Sequence, residues 1–190
     1  LEAFPPGMLY VSSDSSGSLL KAEYAALDAN WKVTAVETGD LVRLGKVNME
    51  FMCAERFFGG RTDADENNAS LCVRLSSEYG SLIVAGDLQK EGEEELCRAG
   101  AFRETDVLIV PHHGSASGSG EKMLSIMKPG YAIISVGVKN TYGHPSGDAL
   151  SRLEAAGAVI FRTDTGGGIR VSIGRVSLLR RKAVIIRQTV

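Results

Sequence analysis

The chain has 190 residues, of which 44% are hydrophobic and 23% charged, and a net charge of −2. That length suits one well-buried core and predicts a single domain over residues 1–190 rather than two. No apolar run reaches the roughly 20 residues of a membrane helix, no secretory signal opens the chain, and Cys53, Cys72 and Cys97 show no C-x-x-C spacing. A soluble domain is therefore expected, without a disulfide framework or a four-cysteine zinc site. The opening Leu1-Glu2-Ala3-Phe4 reads as the inside of a longer protein, so the chain is expected to be a fragment.

Residues 8–11 read as a short strand. A serine-rich loop, Ser12 to Gly17, then leads to a helix over about 19–29, with Leu20, Tyr24 and Leu27 on one stripe. Residues 32–37, 41–44 and 47–53 are strand-like, separated by Thr38-Gly39-Asp40 and Gly45-Lys46, and predict consecutive antiparallel strands. A polar surface loop over 55–68 follows. Residues 70–76 and 81–85 then predict a hairpin around Glu78-Tyr79-Gly80.

From Asp87 onward the pattern becomes alternation: helix 88–99, strand 106–110, helix 120–128, strand 131–136, helix 147–156, strand 159–162. Such units predict an α/β fold, a sheet with helices on its outer face. Past Asp164 no acidic residue occurs, while Arg170, Arg175, Arg180, Arg181, Lys182 and Arg187 do. This basic β segment from about 165 reads either as solvated outward positions or as a nucleic-acid-facing surface.

The three histidines of the chain all follow apolar strand runs. Asp106 to Val110 leads into Pro111-His112-His113-Gly114-Ser115, and Tyr131 to Val136 leads towards Tyr142-Gly143-His144-Pro145, while Ser81 to Ala85 ends in Gly86-Asp87. If these three strands lie parallel, their exits bring a carboxylate and two or three imidazoles within reach of one metal or phosphate. Each residue also has a plainer role open to it. Asp87 stands where it could cap the following helix. His112 and His113, if extended, point to opposite sides, so one would face the site and the other orient it. Lys139 and Asn140 could offer a cation and an amide to a phosphate, or be ordinary loop polarity. Asp63 to Arg74 fails as a calcium loop at its sixth and twelfth positions, and no Walker loop, G-x-G-x-x-G or G-x-S-x-G occurs.

Taken in order, Asn67-Asn68-Ala69-Ser70-Leu71, Ala85-Gly86-Asp87, Asp106 through Pro111-His112-His113-Gly114-Ser115, and Ala132 through Gly137 to Asn140 and Tyr142-Gly143-His144-Pro145 resemble the metallo-β-lactamase-like domain of the ComEC family. ComEC proteins are membrane channel proteins of bacterial competence and DNA uptake. The resemblance implies an αββα sandwich, here read as lacking its N-terminal strands. It places Asp87 at a metal-bridging aspartate and His144 at the last metal-binding histidine, with His112 and His113 as the catalytic pair. Asn68, Ser70, Ser115, Lys139 and Asn140 become substrate contacts.

By the same resemblance the function is a metal-dependent nuclease, using zinc or manganese, that acts on the DNA strand not taken up. Single-stranded DNA and the membrane channel portion of the same polypeptide are then the partners, and the whole protein sits in the cell membrane. The family normally opens with H-x-H-x-D-H, and no H-x-H occurs here. The fragment is accordingly expected to bind metal weakly and to be inactive alone. The alternative is a non-catalytic module that binds DNA or docks on the channel.

Overall fold

The computed structural model describes residues 7–12, 32–54, 67–176 and 181–189. Its centre is a seven-stranded sheet in the order β3-β4-β5-β6-β7-β8-β9. Strands β3 (Leu41–Leu44), β4 (Val47–Cys53), β5 (Leu71–Ser77) and β6 (Gly80–Val84) form an antiparallel meander. From β6 the sheet turns parallel through β7 (Val107–Ile109), β8 (Tyr131–Ile134) and β9 (Val159–Arg162).

Parallel neighbours need long crossovers. Helices α1 (Lys90–Arg98), α2 (Glu121–Met127) and α3 (Gly147–Ala155) provide them. This is why Val107-Leu108-Ile109 and Ala132-Ile133-Ile134 are almost continuously apolar: strands covered on both faces have no side left for polar residues. On the helix face, Leu96, Met123, Leu124, Met127 and Leu153 pack on Ile83, Leu108, Ala132 and Ile134 in one core.

The opposite face, carrying Phe51, Val107 and Ile133, is also buried. Two small β pieces lie there. Strands β1 (Met8–Ser12) and β2 (Lys32–Val36) pair in parallel, with the Tyr10 ring 5.0 Å from that of Phe51. Strands β10 (Gly168–Val176) and β11 (Arg181–Thr189) form an antiparallel ribbon whose Ile173 would lie 2.9 Å from any Cβ at Gly80. Helices, large sheet and second β layer thus stack as α, β and β, three of the four layers of an αββα sandwich.

One expectation needs correction, and one plainer role is excluded. Residues 32–36 do not continue the meander into β3; they pair with β1, and the link to β4 runs through Thr38, whose Oγ1 accepts from Cys53 N and donates to Cys53 O. Asp87 does not cap α1, which begins at Lys90 behind Gln89. A remote residue takes that role: the Asn68 Oδ1 accepts from the backbone N–H groups of Gln89 (3.2 Å) and Gly92 (2.9 Å). A further one-turn helix, α4 (Thr163–Gly166), follows β9. The predicted helix over 19–29 and nearly all of the 55–68 loop lie outside the described residues.

Candidate functional site

The parallel strands β6, β7 and β8 release their chains on one rim of the sheet. At the first exit Gly86 has φ +58, and a Cβ there would press on Ser70 at 3.1 Å. The Ser70 hydroxyl accepts the Asp87 N–H at 3.0 Å, which leaves the Asp87 carboxylate half-exposed at the rim. The second exit is tied to the first, because His112 N donates to Gly86 O at 2.9 Å.

Here the backbone departs from the extended form assumed above. His112 (φ 48, ψ 42) and His113 (φ 55, ψ 22) are consecutive left-handed residues, and Gly114 follows with φ +80. Left-handed non-glycine residues cost on the order of 1–3 kcal/mol each and persist only where surroundings enforce them. The enforcement is visible: Ser115 N donates to His112 O and Ser146 N to Gly114 O, both at 2.9 Å. A Cβ at Gly114 would lie 2.7 Å from Pro145 Cβ, so this turn is pressed directly against the third exit.

The curled backbone gives the two rings different neighbours on the same rim. His113 Nδ1 lies 2.7 Å from Ser135 O. A carbonyl only accepts, so Nδ1 carries a proton, and in the neutral ring Nε2 keeps its lone pair. That Nε2 is 3.9 Å from Asp87 Oδ1. His112 instead sets its ring edge-on to His144, with centroids 5.7 Å apart. The Nδ1 atoms of His112 and His144 are buried without a hydrogen-bond partner among the described residues. Burial, and then the neighbouring His112 and His113, push the His144 pKa below its ordinary value.

The third exit is braced from both ends. Thr163 Oγ1 accepts Val136 N at 2.7 Å and donates to Val136 O at 2.8 Å. Asn140 Nδ2 donates to Gly137 O and His144 O, while its Oδ1 accepts His144 N. The Tyr142 ring stacks on His144 at 6.0 Å with 17° between planes. Between this loop and His113, Val136 and Thr163 opens a cavity of about 450 Å³.

The predicted site residues divide into two groups. Asp87, His112, His113 and His144 are brought to the rim together. Of the expected substrate contacts, Asn68 is only 2% exposed and its amide holds the start of α1, a positioning task that takes it away from the rim. Ser70 seats the Asp87 backbone, Ser115 is buried with its Oγ 3.0 Å from Ser117 Oγ, and Asn140 is occupied within its own loop. Lys139 stands exposed.

Sequence reasoning missed Glu93 and Arg152. Glu93, 3% exposed, accepts Ser119 N at 2.6 Å and Gly120 N at 2.7 Å. Arg152 donates to Ala116 O, Gly118 O and Ser119 O. Together they fasten the chain that leaves the His112-His113 turn. Glu93 sits among Glu91, Glu94 and Glu95, and only the helix phase distinguishes it.

The fold type implies a divalent cation, and the donors can be tested against one. Ligand atoms lie about 2.0–2.2 Å from zinc, so Asp87 Oδ1 and His113 Nε2, 3.9 Å apart, can share an ion. Among the described residues, however, no three His, Cys, Asp or Glu side chains gather around a common point. One loosely held cation fits this set; a dinuclear centre does not.

No family model matches the chain. Curated relatives do. It is 33% identical to ComE operon protein 3 of Bacillus subtilis over 79% of the chain and 19% of that protein. It is 35% identical to competence protein ComA of Neisseria gonorrhoeae over 60% of the chain and 17% of that protein. Recombination protein 2 of Haemophilus influenzae is 30% identical over 56% of the chain and 13% of its own length. The chain therefore spans less than a fifth of the curated relatives it matches.

Among solved structures, a protein of Parabacteroides distasonis assigned as a metal-dependent hydrolase matches with a TM-score of 0.51 and 11% identity, over 85% of this chain and 78% of that one. A variant of the β-hydroxylase CmlA matches with a TM-score of 0.51 and 10% identity, over 82% and 37% respectively. Such likeness speaks for fold alone. Taken with the sequence relatives, it gives the chain the fold of a metal-dependent hydrolase and a likeness over part of its length to ComEC-family competence proteins.

Proposed function

We propose that the chain, over residues 1–190, is the hydrolytic domain of a ComEC-like competence protein: a metal-dependent phosphodiesterase acting on the single DNA strand that is not taken up. The observation that carries this reading is the pairing of Asp87 with a His113 ring whose tautomer leaves Nε2 free to bind a cation. The names of the relatives, competence and recombination proteins, support DNA as the substrate. Held by these residues, a divalent cation, zinc or manganese, would supply Lewis-acid polarisation of a phosphate oxygen.

In this reading Asp87 and His144 are metal ligands, as the resemblance implies, and the His113 ring stands beside Asp87 without completing a three-ligand cluster among the described residues. Ser135 O fixes the His113 ring, as the outer partners of metal-binding histidines do. His112, whose Nδ1 has no partner among the described residues, is placed to hold or pass a proton. Lys139 approaches phosphate from the loop above. Ser70, Ser115, Asn68 and Asn140 hold the rim in shape. The rest of the parent protein supplies the membrane channel, with this domain as its partner at the cell membrane. Among the described residues no helix is long and apolar enough to cross a membrane.

The experiment is cleavage of single-stranded DNA, with Mn2+ or Zn2+ added, by the protein in its longest natural form. Cleavage should fall at least about a hundredfold in Asp87→Ala and in His144→Ala. Activity that survives either substitution, or no cleavage with any metal, overturns the assignment.

One observation favours a second reading, a DNA-binding module without catalysis. Arg170 and Arg187 face each other across the β10–β11 ribbon, both exposed and without an ion pair among the described residues. Salt-sensitive DNA binding that is lost with these arginines, by a protein that never cleaves, would select it.

A further inference from the structure

Among the described residues, Tyr142 is the one large aromatic residue that the rim holds out to solvent. Its side chain is 81% exposed, although the loop carrying it is among the most tightly braced parts of the rim. An exposed ring on a mobile tail needs no explanation, since isolated surface apolar residues are common. An exposed ring on a loop fixed by three Asn140 hydrogen bonds, and stacked at 17° on a histidine of the candidate centre, is oriented without being buried. It borders the cavity that His113, His144 and Thr163 also line, next to exposed Val138 and Lys139.

We propose that Tyr142 is a stacking platform for one unpaired nucleobase of a single-stranded DNA substrate, and that it sets which phosphate reaches the Asp87-His113 rim. The inference rests on the reading that the rim acts on DNA and adds how the strand is held. A base exposes its π-face to a protein ring only when it is unpaired, so the platform selects single strands over duplex. Lys139, three residues earlier on the same loop, meets the adjoining phosphate. The stack needs no particular base, because every base has a π-face. His144 backs the tyrosine with one face while its ring stays inclined at 64° to that of His112.

The test is binding, measured without metal so that chemistry does not intervene. A fluorescently labelled oligothymidylate is compared with an abasic chain of equal length, using the full chain and its Tyr142→Ala and Tyr142→Phe variants. Wild type should bind the base-bearing strand about tenfold more tightly than the abasic one; Tyr142→Ala should lose most of that difference and Tyr142→Phe should keep it. Because Tyr142 is exposed, the alanine variant should melt at the temperature of wild type, and equal melting is checked first. In the metal-loaded, longest form of the protein, Tyr142→Ala should raise KM while leaving kcat within about twofold.

Two outcomes overturn the platform alone: wild type binding both strands equally, or Tyr142→Ala binding the oligothymidylate as well as wild type does. An equal loss on both strands in Tyr142→Ala also overturns it, since the ring would then be touching sugar or backbone. If wild type binds neither strand and cleaves neither, the platform falls together with the DNA reading on which it rests.

Discussion

Two carboxylates six residues apart stand in opposite conditions. Asp87, at the exit of β6, is half-exposed, and it faces the His113 imidazole at 3.9 Å. Glu93, one and a half turns further along the chain, is buried and has both oxygens filled by backbone donors, with Arg152 alongside. The regions around them differ in the same way. Behind the rim the Glu93 carboxylate and the Arg152 guanidinium are answered by backbone partners, whereas at the rim the Nδ1 atoms of His112 and His144 have no partner among the described residues and the backbone is held in left-handed form. Placing strain and unmet valence on a saturated support is how a scaffold keeps reactive groups ready.

The sharpest way to break this contrast is to remove the support. Glu93→Ala strands the backbone N–H groups of Ser119 and Gly120, and should destabilise the chain by about 2–4 kcal/mol in urea unfolding. A loss below about 1 kcal/mol would show that the 115–120 segment is held by other means.

A pH series isolates the same group. Burial pushes Glu93 from its ordinary 4.5 up to about 7, against the pull of Gly120 N, Ser119 N and Arg152. Between those values the folded chain keeps a proton that the unfolded chain has released. The contribution of Glu93 to stability is therefore greatest below about pH 4.5 and declines as pH rises towards 7, by up to about 3 kcal/mol. Glu93→Gln should flatten that decline; identical pH slopes for the two proteins would remove Glu93 from the account.

At the rim the expectation reverses. Asp87→Asn and His113→Gln should each change folding stability by less than about 1 kcal/mol, since both side chains are half-exposed. Affinity for Zn2+ or Mn2+ in calorimetric titration should nonetheless drop at least about tenfold. Unaltered affinity would place the cation elsewhere.

The smallest effect is expected on the ribbon. Arg170 opposite Arg187 is a like-charge cross-strand pair, and Arg187→Glu should raise stability by about 0.5 kcal/mol. The same change should weaken DNA binding and flatten its salt dependence. A substitution that stabilises the fold while costing affinity identifies charge kept for a ligand.

The parallel half of the sheet was legible because its signals are local. Continuous apolar runs at 107–109 and 131–134 alternate with helix-length segments ended by Gly100, Pro129 and Gly157, and each exit carries a Gly or Pro beside a histidine or aspartate. The less legible parts depend on distant partners. Residues 32–36 read as the start of a meander because Thr38-Gly39-Asp40 is a good turn, yet β1 competes for that strand from far along the chain. Asp87 has the right position to cap α1, but Asn68 arrives from another loop and fills the donors first. The left-handed pair at His112-His113 has no local signature, since neither residue is glycine. It is imposed by contacts from Gly86, Ser135 and Ser146.

Gly114 ties the rim together in a way that bears on how it could move. Its α-carbon sits where even a methyl group would collide with Pro145, so the turn bearing His113 and the loop bearing His144 mesh like two gear teeth. Neither can slide towards an incoming ion or strand without carrying the other. The distance between those histidines is accordingly a property of the scaffold, set at folding, and a ligand meets a finished gap that it must match.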